Sequence, residues 1–225
     1  MDRDRISSVC EGEYALTIIH IIRHGETVWH AENRYAGHTD VPLTARGVQQ
    51  SIELVGWAKT AGIDRILSSD LSRARLTAEP LAQAAQLPLT TEPGLREVDF
   101  GSGEGLTAAE MSEQFPRERQ AFEAHPASSR FPGGESGEEA LERALPHVFD
   151  AVRDQSVNTI VFVIHSTLGR IILCEFLGIA LDNYRRIFPK FINGALTTVE
   201  LPAPKTLNDL RGRASLLALN APPHL

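Results

Sequence analysis

Residues 15–22 read ALTIIHII and are followed at 23–27 by RHGET. The first eight are short, rich in β-branched side chains and apolar at both parities, the pattern of a strand buried on both faces rather than half-exposed. Helices must then cover both sides of the sheet. In such sheets ligands bind just beyond the carboxyl ends of the strands, and Arg23 and His24 stand there. A second run of the same kind, TIVFVI at 159–164, is followed by His165, Ser166 and Thr167. Two imidazoles from distant parts of the chain are therefore expected at one sheet edge.

Working outward, RILS at 65–68 is a third strand, and Arg73 follows it closely. Between strands the spacing predicts helices. Over 44–61, Val48, Ile52, Val55 and Ala58 form an apolar stripe, with Thr44 as cap and Gly62 as terminator. Residues 70–86 read as a helix kinked or interrupted at Pro80. With Asp70 as its cap, Arg73 falls in the first turn, where the macrodipole disfavours a cation unless an anion is bound. Residues 97–135 mix glycine, glutamate and proline with short helical pieces such as 107–114, an excursion over the sheet edge. Ser136 and Glu139 fit a capping box ahead of a stripe of Leu141, Leu145, Val148 and Val152, with a kink expected at Pro146. A helix over 166–177 and strands at 195–201 (ALTTVEL) and 215–220 (SLLALN) complete the chain. The last strand either ends the sheet or pairs across a homodimer. Strands alternating with helices predict a layered α/β domain with a largely parallel sheet.

The 225 residues, 42% of them hydrophobic, suit a single domain. Residues 1–14 form a charged, polar extension without the apolar segment of an export signal, so a cytoplasmic location is expected. No run approaches the ~20 apolar residues of a membrane span. Cys10 and Cys174 are expected as reduced thiols, too few for a disulfide framework or a four-cysteine zinc site. His20 and His24 would share a face only on a helix and no HExxH is present, so no metal is expected. The net charge of −7 argues against nucleic-acid or anionic-membrane partners. It leaves room for a small anionic substrate, because a few clustered arginines dominate a pocket within the ~8 Å screening length.

RHGET at 23–27, GHTDVPLTARGVQQ at 37–50, SSDLSRARLTAE at 68–79, LREVDFGSGEG at 95–105, GGES at 133–136 and VIHS at 163–166 occur in an order and spacing that resemble the histidine phosphatase superfamily, also called phosphoglycerate mutase-like. The resemblance covers about residues 15–200. It implies a three-layer αβα sandwich and a cofactor-independent phosphomonoester hydrolase acting on a small phosphorylated metabolite. His24 would be the nucleophile that carries the phosphoryl group, Arg23, Arg73 and His165 would surround that group, and Glu97 would be the proton donor. The chemistry agrees. Attack on phosphorus needs an unprotonated imidazole, which neighbouring guanidiniums favour, and arginine offers fixed donor pairs to phosphoryl oxygens.

The chain departs from the family in two places. His30 stands where many members have asparagine, still able to donate to phosphate, and Ser166-Thr167 where Gly-Gly is common; Ser166 could cap the following helix and aim its amides at the phosphate. Arg34 and Tyr35 resemble the loop lining the phosphate entrance. Residues 106–135 read as a lid-like insertion that selects the leaving group, with His125 and Arg130 as candidates and His38 as a weaker one. Two other functions fit the same motifs: a phosphomutase, whose longer insertion is not evident after Gly105, and a non-catalytic phospho-ligand module.

Overall fold

The computed structural model describes residues 16–224; the N-terminal extension and Cys10 lie outside the described residues. Six strands form one sheet: β1 (Leu16–Arg23), β2 (Arg65–Ser69), β3 (Leu89–Glu92), β4 (Thr159–Ile164), β5 (Leu196–Pro202) and β6 (Ser215–Ala221), in the order β3-β2-β4-β1-β5-β6. The first four in that order are mutually parallel; β5 pairs antiparallel with β1, and β6 antiparallel with β5, so β5 alone runs against the others. The helices are α1 (Ala45–Ala58), α2 (Ser72–Ala85), α3 (Ala108–Gln114), α4 (Pro116–Ala124), α5 (Gly137–Val152), α6 (Ser166–Leu177) and α7 (Tyr184–Ile187).

The alternation of side chains along the strands builds two cores. Ile19, Ile21, Phe162 and Ile164 pack with buried residues of α5 and α6. Ile22, Val161, Val163 and Ile66 pack with Leu54 and Ala58 of α1 and with Ala78 and Leu81 of α2. Sheet between two helical layers is the three-layer sandwich expected. Among the described residues no helix is long and apolar enough to cross a membrane. The buried Cys174 is a free thiol, which burial pushes up to about 11.

Several local expectations are corrected. The stripe expected to bury α1 is borne out only at its end: Val48 is 47% and Ile52 51% exposed and Val55 half-buried, whereas Ala58 is buried together with Gly47, Ser51 and Leu54. Small residues win that face because the helix starts in bare contact with the turn after β1. A Cβ on Gly25 would lie 2.4 Å from the Gly47 carbonyl oxygen, and one on Gly47 2.1 Å from that of Glu26. The α2 helix begins at Ser72 with Leu71 as its N-cap and runs through Pro80 without a break. Asp70 instead accepts a two-pronged ion pair from Arg96, at 2.8 and 2.5 Å. The α5 capping box is present, and that helix continues through Pro146. The short edge strand β3, LTTE, had no sequence signal, being mostly polar and half-exposed. Residues 106–135 fold as α3 and α4, but Met111, Phe122 and Phe131 are buried in the same cluster as α5 and α6, so this segment is part of the core.

Candidate active site

Because β2, β4 and β1 are adjacent and parallel, the residues that leave their carboxyl ends share one edge. Arg23 is paired with Ile164, and the next residue of each strand is a histidine. The His24 amide donates to the Ile164 carbonyl at 2.9 Å, and the His24 and His165 ring centroids are 5.2 Å apart. His24 Nδ1 donates to the Gly25 carbonyl at 2.7 Å. That partner can only accept, so the ring hydrogen sits on Nδ1 and Nε2 keeps its lone pair. Burial, then the Arg73 and Arg23 guanidiniums, holds the His24 imidazole well below its ordinary value. His165 is held down by burial and by Arg73, and among the described residues neither of its buried ring nitrogens has a hydrogen-bond partner.

Arg73 is fully buried. Nη1 donates to the Thr39 carbonyl at 2.8 Å and Nη2 to that of Gly37 at 2.7 Å, so the 36–39 loop supplies the acceptors that hold the cation in the first turn of α2. Its Nε is buried without a hydrogen-bond partner among the described residues. Thr77 locks this helix to the nucleophile turn, donating to the Arg73 carbonyl at 2.7 Å and accepting from the Gly25 amide at 2.9 Å.

Glu97 does not pair with the adjacent Arg96. Its Oε2 accepts from the Thr167 amide at 2.8 Å, and Oε1 accepts from Leu168 at 2.8 Å and Val98 at 3.0 Å. The carboxylate therefore occupies the first turn of α6, where the helix dipole favours an anion. His165 is the N-cap of this helix and makes no side-chain cap bond. The expectation that Ser166 caps α6 and turns its amides to phosphate is thus corrected: Ser166 is the first helical residue, and the next two amides already serve Glu97.

Arg23 Nη1 donates to the Phe191 carbonyl at 2.7 Å and Nη2 to His30 Nε2 at 2.6 Å. The other ring nitrogen, Nδ1, lies 3.0 Å from the Thr27 amide and 2.8 Å from the Thr27 hydroxyl, so both nitrogens of His30 are engaged. Burial and Arg23 push the imidazole down to about 4. The expectation that His30 donates to phosphate is therefore revised, since its two ring nitrogens are already engaged by Arg23 and Thr27.

Arg23, His24, His30, Glu97 and Ser166 line a cavity of about 290 Å³, whereas the fully buried Arg73 and His165 stand behind that lining. Arg34 and Tyr35 also line it. Arg34 is neutralised by Glu110 at 2.8 Å and Glu32 at 2.7 Å and donates to the Gly105 carbonyl, which ties it to the start of α3. Tyr35 packs edge-on against Phe100 and Phe122, and its hydroxyl accepts from Arg119 at 3.2 Å. His38, His125 and Arg130 are not in the lining: His38 sits near Asp99 and Glu135, His125 near Asp182, and Arg130 pairs with Glu139.

Three lining or supporting residues escaped the sequence reading. Asn193 Nδ2 donates to the His24 carbonyl at 2.7 Å, from a loop with no motif around it. Arg170 and Arg185 also line the cavity. Arg170 lies little more than one turn after the His165 end of α6, a spacing that could have flagged it; nothing local marks Arg185.

The chain matches the family model of the histidine phosphatase superfamily (branch 1) over residues 19–207. Over 125 residues it is 41% identical to a Citrobacter koseri protein named "Probable phosphoglycerate mutase GpmB", and a Salmonella newport relative of the same name is 40% identical. The matched stretch is 56% of this chain and 58% of the Citrobacter protein, so the chain spans little more than half the length of these curated relatives. Among solved structures, the mycobacterial glucosyl-3-phosphoglycerate phosphatase aligns with a TM-score of 0.80 at 25% identity, covering 92% of this chain and 99% of that one. The α-ribazole phosphatase of Shigella flexneri has the same fold, with a TM-score of 0.78 at 24% identity over 91% and 96% of the two chains.

Proposed function

The chain belongs to the histidine phosphatase superfamily (branch 1), and from that premise we propose that it is a phosphomonoester hydrolase acting through a phosphohistidine on a small phosphorylated metabolite. One observation carries the reading. His24 has its hydrogen fixed on Nδ1 by the Gly25 carbonyl, and burial with two guanidiniums disfavours the imidazolium, so Nε2 is a standing nucleophile in an anion-attracting site.

In this mechanism His24 Nε2 attacks phosphorus and the ester P–O bond breaks. Arg23, Arg73 and neutral His165 surround the phosphoryl oxygens as charge shifts onto them. Glu97 supplies a proton to the departing alkoxide, then takes one from the water that attacks the phosphohistidine; the P–N bond breaks and neutral His24 returns. Hydrogen-bond counting supports the choice of oxygen. Oε1 accepts two amides and Oε2 only one, so Oε2 has the spare lone pair through which a proton can pass.

The experiment is trapping of labelled phosphate on the chain. Acid-labile label is expected on the wild type and lost in His24→Ala; equal labelling of both, or none on the wild type with any phosphomonoester tried, defeats the proposal. A mutase reading is favoured by the name of the curated relatives. It is separated by incubation with 3-phosphoglycerate and a bisphosphoglycerate primer: isomer accumulates under mutase action, free phosphate under hydrolysis.

A further inference from the structure

The cavity over His24 continues past Ser166 into a second lobe of about 490 Å³, and Arg23, Ser166, Arg170 and Arg185 line both. Lys190 stands on the rim of the second lobe. The outer guanidiniums are held in place but not neutralised. Arg170 donates from Nε to the Ser166 carbonyl at 3.0 Å and from Nη1 to that of Phe188 at 3.3 Å, and its plane stacks 4.9 Å from the Tyr184 ring centroid. Nη2 is left over. Arg185, exposed at the mouth, lies 5.3 Å from the Phe122 ring centroid with the phenols of Tyr35 and Tyr184 as its polar neighbours.

Among the described residues neither arginine has a carboxylate ion-pair partner. A shortage of acid does not explain this, because Asp and Glu outnumber Lys and Arg by 29 to 22. Elsewhere the chain pairs its arginines readily: Arg96 with Asp70, Arg143 with Glu135, Arg34 with Glu110. The neighbours here are phenols instead: Tyr184 is pushed up to about 12 by burial, so its hydroxyl brings no charge, whereas Tyr35, despite its burial, is drawn below its ordinary value by Arg185 and Arg119. A phosphoryl dianion together with Glu97 would also leave the group of Arg23, Arg73, Arg170 and Arg185 short of negative charge, before Lys190 is considered.

Resting on the phosphomonoesterase reading, we infer that Arg170 and Arg185 form a second anion subsite, and that the preferred substrates are phosphomonoesters carrying a carboxylate or a second phosphate on the leaving group. Stacked, pre-oriented guanidiniums suit either anion, since each presents paired oxygens to the planar fork. Phosphomonoesters whose leaving group is uncharged enter the same cavity without using this subsite.

Three esters of one carbon skeleton test this: glycerol 3-phosphate, 3-phosphoglycerate and glycerol 1,3-bisphosphate. The wild type should favour at least one dianionic-plus-anionic ester over glycerol 3-phosphate by roughly tenfold or more in kcat/KM, as expected for a charge-assisted contact. Which ester leads tells carboxylate from phosphate. Arg185→Gln, at the exposed mouth, should shrink that preference by a similar factor. Equal kcat/KM for all three esters, or a preference untouched by Arg185→Gln, overturns the inference while leaving the hydrolase reading intact. Should none of the three be turned over, the hydrolase reading is tested separately by the phosphate-trapping experiment above. The subsite is then judged by calorimetric binding of the same three compounds to His24→Ala with and without Arg185→Gln: equal affinities refute it, and an anion preference that falls with Arg185→Gln supports it.

Discussion

Replacing Glu97 by glutamine separates a proton donor from a helix anchor, because the two roles fail differently. The carboxylate accepts three backbone amides, from Val98, Thr167 and Leu168. A glutamine keeps one acceptor oxygen and turns its NH2 group toward the amide or amides that the other oxygen served. Leaving a buried donor unsatisfied costs about 1–3 kcal/mol, so Glu97→Gln should lower the urea midpoint but still fold. Loss of the proton donor should reduce alkyl phosphate turnover by roughly 10²–10⁴. An aryl ester such as p-nitrophenyl phosphate leaves as a stable phenolate without a proton, so formation of the phosphoenzyme from it should fall far less. Stopped-flow release of p-nitrophenolate, set beside steady-state hydrolysis of glycerol 3-phosphate, measures the split. A loss of equal size on both esters would mean that Glu97 acts only through the position of α6, and the assignment of the proton to it would be wrong.

Four further outcomes follow from the geometry. His20, at the centre of β1 beside Trp57 and Thr198, is pushed by burial from 6.5 down to about 4. The unfolded chain therefore binds a proton that the folded chain refuses, and stability falls as pH drops from about 6.5 toward 4; His20→Leu should remove about 2 kcal/mol of that loss at pH 5, read from urea melts against pH 7.5, and identical pH dependence would contradict it. Because burial and the two guanidiniums hold His24 down, the neutral nucleophile should persist below the ordinary imidazole range, so single-turnover phosphoenzyme formation at saturation should not halve near pH 6.5. Gly47→Ala sets a Cβ against the Glu26 backbone and should cost about 1–3 kcal/mol with a clear drop in kcat, whereas unchanged melting would mean the contact is slack. A chelator should leave the activity of purified protein unaltered; loss restored by zinc or manganese would replace the phosphohistidine mechanism.

Much of this architecture is legible in the sequence because strand ends carry both fold and chemistry. ALTIIHII and TIVFVI identify the central strands, and the residues after them, with Arg73, arrive at one edge because parallel neighbours end together. Helix faces were harder to read. In α1 the apolar periodicity selects Val48 and Ile52, yet the buried face belongs to Gly47 and Ser51, since close approach of two backbones rewards absent side chains over apolar ones. Partner choice was also hidden: Asp70 is three residues from Arg73 but pairs with Arg96, and His30, although it lines the cavity, engages Arg23. Asn193, Arg170 and Arg185 reach the site from stretches whose local pattern is ordinary, and only the tertiary path of the chain brings them there.

The seating of Glu97 on α6 has a mechanical corollary. The same helix end carries His165 and, a little over one turn on, Arg170, so acid, second imidazole and outer guanidinium are mounted on a single rigid part. His24 and Arg23 ride on another, the β1 end, joined to it by strand pairing with β4. Any slippage between those two parts would detune proton delivery and phosphoryl contact together, which makes the β1–β4 seam the tolerance that an engineer altering the outer lobe would have to preserve.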